Sequence, residues 1–150
     1  MRESGKNEAI AGGGFHHVAM SVCDFEKSVE FYTQGLGMVP CYGWGADGRA
    51  EGAADTRALM LDTGAGDYIE IFAGNKRNPA EPAPDGLWMH IALRTTDTAA
   101  AYARAMAAGA ASHMEPATVS VPGDPPRDFT IAFIKGPDGE IIEFFCNPDL

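Results

Sequence analysis

Apolar and polar residues alternate with period two in four short stretches: "FHHVAMSV" (15–22), "DYIEIFA" (67–73), "WMHIALR" (88–94) and "EIIEFFC" (140–146). That period predicts strands with one face turned to a core. Two further stretches follow a helical period. In "FEKSVEFYTQ" the residues Phe25, Val29 and Tyr32 share a stripe, and in "TAAAYARAMAA" Ala99, Tyr102 and Met106 do the same. Asp24 and Asp97 stand at N-cap positions, while Gly35, Gly37 and Gly109 close the helices. "DTGAGD" and "KGPDGE" carry the residues of tight turns between strands.

These elements occur twice. Shifted by 73 residues, "HVAMSVCD" (17–24) lies over "HIALRTTD" (90–97), and "ALMLDTGAGDYIEIF" (58–72) lies over "IAFIKGPDGEIIEFF" (131–145). The matches include His17 with His90, Gly66 with Gly139 and Glu70 with Glu143. A duplication follows, each half reading β-α-β-β-β, an α+β pattern. Residues 1–13 read as a disordered lead, 14–74 as the first module, 75–86 as a proline-rich linker and 87–147 as the second module. The glycine-rich "CYGWGADGRAEGAADTR" (41–57) is too irregular to predict as a strand; it is expected to form a flap in which Trp44 and Arg57 or Arg49 touch substrate, or a plain surface loop.

Composition narrows the partners. The 150-residue chain, 45% hydrophobic, is long enough for one sizeable core and is read as one domain over 14–147. A net charge of −10 argues against nucleic acid or an anionic membrane as partner. Cys23, Cys41 and Cys146 are few and widely spaced, so a cytoplasmic protein without disulfides is expected. No apolar run is long enough to span a bilayer.

Strand alternation then sorts the side chains. His17, Glu70, His90 and Glu143 fall at equivalent places on the faces turned away from the helices. A charge such as Glu143, set between Ile142 and Phe144, needs a partner. If a pseudo-twofold brings the two faces together, two imidazoles and two carboxylates converge as a metal site. His16 and His113 match nothing at this register and are read as ordinary structural histidines. Tyr68, Phe72, Trp88 and Phe145, on the same faces, are either barrel filling or pocket walls.

The segments "HHVAMSVCDFEKSVEFYTQGLGM", "YIEIF", "HIALRTTD" and "AFIKGPDGEIIEFF" resemble the vicinal oxygen chelate superfamily, the group of glyoxalase I, bleomycin-resistance proteins and extradiol dioxygenases, across roughly residues 14 to 147. The resemblance implies paired βαβββ modules forming an open, cup-like mixed sheet with helices outside. It implies one divalent metal ion (Ni, Co, Zn, Mn or Fe) held by His17, Glu70, His90 and Glu143, with modules paired within a chain or across a homodimer. The four-donor set is similar to that of the isomerase branch, glyoxalase I (lactoylglutathione lyase) and methylmalonyl-CoA epimerase. On that likeness the chain is expected to be a lyase or isomerase moving a proton next to a carbonyl through a metal-bound enediolate. Glu143 would be the base and Glu70 its acid–base counterpart. A small α-carbonyl compound is the implied substrate, with Trp88, Tyr68, Phe72, Phe145, Trp44 and Ser21 around it. Two alternatives stand beside this: epimerisation of an acyl thioester, and a non-catalytic antibiotic- or toxin-binding protein. Ser21 and Gly74 stand where glutathione-dependent glyoxalases carry Arg and Asn.

Overall fold

The computed structural model describes residues 17–76, 90–121 and 126–146. The lead 1–13, His16, the linker beyond Lys76 and Trp88 lie outside the described residues. The first half runs β1 (His17–Ser21), α1 (Phe25–Glu30), β2 (Val39–Trp44), β3 (Ala58–Asp62) and β4 (Tyr68–Phe72). The second runs β5 (Ile91–Arg94), α2 (Thr98–Ala107), β6 (Ala111–Val121), β7 (Arg127–Lys135) and β8 (Ile141–Cys146). Each half makes one four-stranded sheet, ordered β1-β4-β3-β2 and β5-β8-β7-β6. The first strand of each half pairs parallel with the last, and the remaining pairings are antiparallel. Two open mixed sheets with a helix each thus give the α+β class.

Both helices start as their sequences require. Asp24 accepts from the Lys27 amide at 3.0 Å, and Asp97 accepts from the Ala100 amide at 2.9 Å. Burial on α1 departs from the expected stripe: Ser28, Phe31, Tyr32 and Gly35 are buried, whereas Phe25 and Val29 are only half-buried. The helix also widens to a π-helical turn over Phe31–Gly35, closed by the Leu36 amide on the Phe31 carbonyl at 3.0 Å. Its end abuts α2 so closely that a Cβ on Gly35 would lie 2.6 Å from Ala108 Cβ. Arg104 on α2 donates to the carbonyls of Gly35 (2.5 Å) and Gln34 (3.0 Å), satisfying groups that a helix end leaves free.

One apolar cluster joins the halves. It includes Tyr32, Leu61, Ile69 and Ile71 from the first and Ala105, Ile134, Ile142 and Phe144 from the second. On β4 the buried residues are the helix-side Ile69 and Ile71, as alternation required; on β8 Ile142 and Phe144 are buried, and Glu143 between them is buried as well.

Polar groups seal one junction between the halves. Asp138, 6% exposed in the β7–β8 turn, accepts from the Cys23 amide at 2.6 Å and from Ser28 Oγ at 2.8 Å. Tyr32 donates its hydroxyl to Glu140 Oε1 at 2.6 Å, and the Asp138 amide donates to Glu140 Oε2 at 2.9 Å. This explains why Ser28 is buried: its partner comes from the other half. At the 73-residue register the opposite junction has Ala65, Asp67, Ala101 and Ala105 in place of Asp138, Glu140, Ser28 and Tyr32. With alanines at three of these four places, the equivalent latch cannot form there.

Burial pushes the Glu140 carboxyl above its ordinary value of 4.5, more than its hydrogen bonds pull it down. The folded state therefore holds that proton more tightly than the unfolded chain does. The stabilising contribution is complete below the unfolded value and is lost as pH rises through the raised folded one. Glu140→Gln, which cannot ionise, is expected to gain stability relative to the parent as pH climbs from about 4.5 through that window. Urea denaturation of both proteins across the range checks this; parallel curves would contradict it.

Candidate metal centre

The strand register builds one imidazole–carboxylate pair per module. On β1 and β4, Ala19 lies directly opposite Glu70, and on β5 and β8, Ala92 lies opposite Glu143. In each case the histidine stands two residues before that alanine. The alanine methyl leaves the space over the carboxylate open, so the diagonal histidine can reach it. His17 Nε2 lies 3.6 Å from Glu70 Oε2, close enough for electrostatic contact but too long for a good hydrogen bond. His90 Nε2 lies 3.0 Å from Glu143 Oε2. Glu143 is only 8% exposed, so His90 is the partner that its position between Ile142 and Phe144 demanded. Burial pushes its carboxyl upward, and the neighbouring His90 pulls it back. The His90 ring also meets Phe133 edge-on, with centroids 5.4 Å apart. Phe133, opposite Glu143 on β7, was not singled out by the repeat because its partner at that register is Met60.

His17, His90 and Glu143 border a common cleft of about 770 Å³ between the β1 and β5 edges, with Tyr68 and Phe145 in its walls. Among the described residues, no three His, Cys, Asp or Glu side chains are gathered closely enough to hold a metal ion. The two His–Glu pairs are thus not joined into one donor group among the described residues. Their donor chemistry fits a divalent ion, since neutral imidazole and carboxylate are both good ligands for one.

The remaining expected site residues divide. Phe72 is half-buried on β4 and meets Trp44 edge-on at 5.9 Å; Trp44 in turn lies 5.4 Å from Tyr42. Trp44 ends a strand, β2, whose register shifts after Pro40, and the segment without strand structure begins only after it; Pro40 and Gly43 had diluted the strand signal. Ser21 is exposed at the end of β1, where its carbonyl accepts from Asn75 Nδ2 at 2.7 Å. Arg57, expected at substrate, is instead held by two carboxylates. It donates to Asp55 at 3.0 and 2.7 Å and to Glu26 at 2.5 Å, and it lies over the Phe25 ring. Arg49 pairs with Asp47 at 2.9 Å.

Comparison with known proteins agrees with the architecture. Residues 14–144 match the Glyoxalase/Bleomycin resistance protein/Dioxygenase superfamily, and the chain belongs to that family. The chain is 33% identical over 130 residues to the uncharacterized protein YwbC of Bacillus subtilis (strain 168), covering 86% of this chain and 94% of that protein. It superposes on a glyoxalase I mutant from Zea mays with a TM-score of 0.65 at 18% identity, over 90% of this chain. Here it spans 45% of the maize chain. A glyoxalase family protein from Enterococcus faecalis gives a TM-score of 0.66 at 22% identity, covering 89% of this chain and 97% of that one. No helix among the described residues is long and apolar enough to cross a membrane.

Proposed function

We propose that the protein is a metal-dependent lyase or isomerase of the glyoxalase I type, acting on a small α-carbonyl compound. The observation that carries this reading is the repeated His–Glu pair, built at the same register in both modules, with His17, His90 and Glu143 bordering one cleft. The donors would be His17, Glu70, His90 and Glu143. When bound, a divalent ion acts as a Lewis acid toward the substrate carbonyl. Glu143 is the base that takes the proton from the adjacent carbon, and Glu70, its acid–base counterpart, carries a proton of its own and gives it up on the other side of the carbonyl. The apolar walls beside them, Tyr68 and Phe145, keep water from the reacting face.

Because no three of these donors gather in one chain among the described residues, we assign completion of the four-donor set to a homodimer, in which the His17–Glu70 pair of one copy meets the His90–Glu143 pair of the other. Subunit complementation tests this. His17→Ala and His90→Ala homodimers are each expected to lose tight metal binding. A heterodimer purified with two different tags should regain one intact site, read as one ion per dimer by elemental analysis. No recovery would place both pairs of a site in the same chain.

The reaction is tested by NMR, following solvent deuterium entering 2-oxoaldehyde–thiol adducts and 2-substituted acyl thioesters. Entry into the former only supports the glyoxalase reading; entry into the latter only supports epimerisation. Tight ligand binding by metal-free protein, without exchange, would favour a sequestering protein.

A further inference from the structure

The cleft wall carries a cation that no described residue neutralises. Arg94, at the end of β5, lies on the same strand face as His90 and Ala92 and lines the same cleft. It is exposed, and among the described residues it makes no ion pair or hydrogen bond. The other well-placed guanidiniums are occupied: Arg57 by Asp55 and Glu26, Arg49 by Asp47, and Arg104 by the Gln34 and Gly35 carbonyls. Asp67 borders the cleft from the first module and forms no ion pair with Arg94. In a chain of net charge −10, an arginine left unpaired on a cavity wall is a selective feature for an anion.

Its position sets where that anion lies. Arg94 stands directly opposite Phe145, whose ring packs on Phe129 at 5.2 Å. Three residues, Ile91 to Leu93, separate it from His90, about 13 Å between Cα atoms at an extended rise. Between the two ends the floor is Ala92, opposite Glu143, and offers no bulk. The channel thus has a donor pair at one end, a flat middle and an unpaired planar fork at the other. Arg94 also shares its strand with His90, so it stays with that pair whichever module completes the site.

We infer that Arg94 anchors a carboxylate at the far end of the substrate, so that the substrate is an α-carbonyl compound with an anionic tail. A guanidinium binds a carboxylate through two parallel hydrogen bonds, which fixes direction as well as charge. The tail would lie along the Phe145 side of the groove, placing the carbonyl end toward His90 and Glu143. This rests on the metal-centre reading above.

The test separates head from tail. Affinities of the purified protein, loaded with Ni(II), are measured by calorimetry for 2-oxoadipate, 2-oxopimelate and 2-oxosuberate, each against the 2-oxo monoacid of equal length. At least one diacid is expected to bind about tenfold tighter than its monoacid, or more. Arg94→Met should erase that preference, while Arg94→Lys should keep part of it. A preference that survives Arg94→Met, or none in the parent, overturns the assignment; so does a failure of every ligand to bind. Monoacid affinity that is the same with and without metal counts against the metal-centre reading alone, because the diacid preference is read separately.

Discussion

Glu143→Gln is expected to lower proton exchange at the substrate by roughly 10²–10⁴-fold, the range that a positioned general base supplies. The substitution keeps size and shape, so the buried site should stay packed. It removes the negative charge that faces His90 at 3.0 Å, and with it both the proton acceptor and one anionic donor. Metal content decides which loss dominates. If the variant still holds its ion but exchange collapses, the acceptor role is isolated. If both fall together, Glu143 acts mainly as a donor. Exchange that is undiminished would remove Glu143 from the reaction. Glu70→Gln serves as the internal comparison, because its histidine stands farther off, at 3.6 Å.

The second large effect is on stability. Asp138→Ala deletes the acceptor for the Cys23 amide and the Ser28 hydroxyl, leaving two donors at the junction without their partner. Bonds to a charged acceptor and the desolvation of orphaned donors together suggest a loss of about 3 kcal/mol. For a chain of this size that lowers the melting temperature by roughly 6–12 °C. Ser28→Ala removes one of the two donors, so the double variant should cost less than the sum of the single ones. Differential scanning calorimetry on the four proteins gives the cycle. Strict additivity would show that the Ser28–Asp138 bond contributes nothing of its own.

The sequence made the module order legible because the duplication let each weak strand signal vouch for its counterpart. The four His and Glu positions were legible for the same reason: period-two alternation put each on a definite face, and the shared shift of 73 tied them together. What could not be read were contacts between residues distant in the chain. Nothing in the sequence ties Ser28 to Asp138, 110 residues away, and Arg57 was considered for substrate contact because Glu26 and Asp55 were not known to converge on it. The π-helical turn has no counterpart in the helical period of the sequence, and its end is met by Ala108 and Arg104 of the second half. Arg94 was visible on the His90 face, but only the structure showed that it lacked a carboxylate.

The two outer rims of the molecule share one property. β2 and β6 are the free edges of their sheets, and each contains a proline, Pro40 and Pro116, next to a register shift. Proline has no N–H to offer a neighbouring strand, and a bulged ladder cannot template a straight one. Stacking of further chains rim to rim is therefore opposed at both edges, although β2 exposes Val39 and Tyr42. The inner edges, β1 and β5, carry no such interruption. Growth of an extended sheet through these two strands, the step that begins a fibril, is therefore disfavoured.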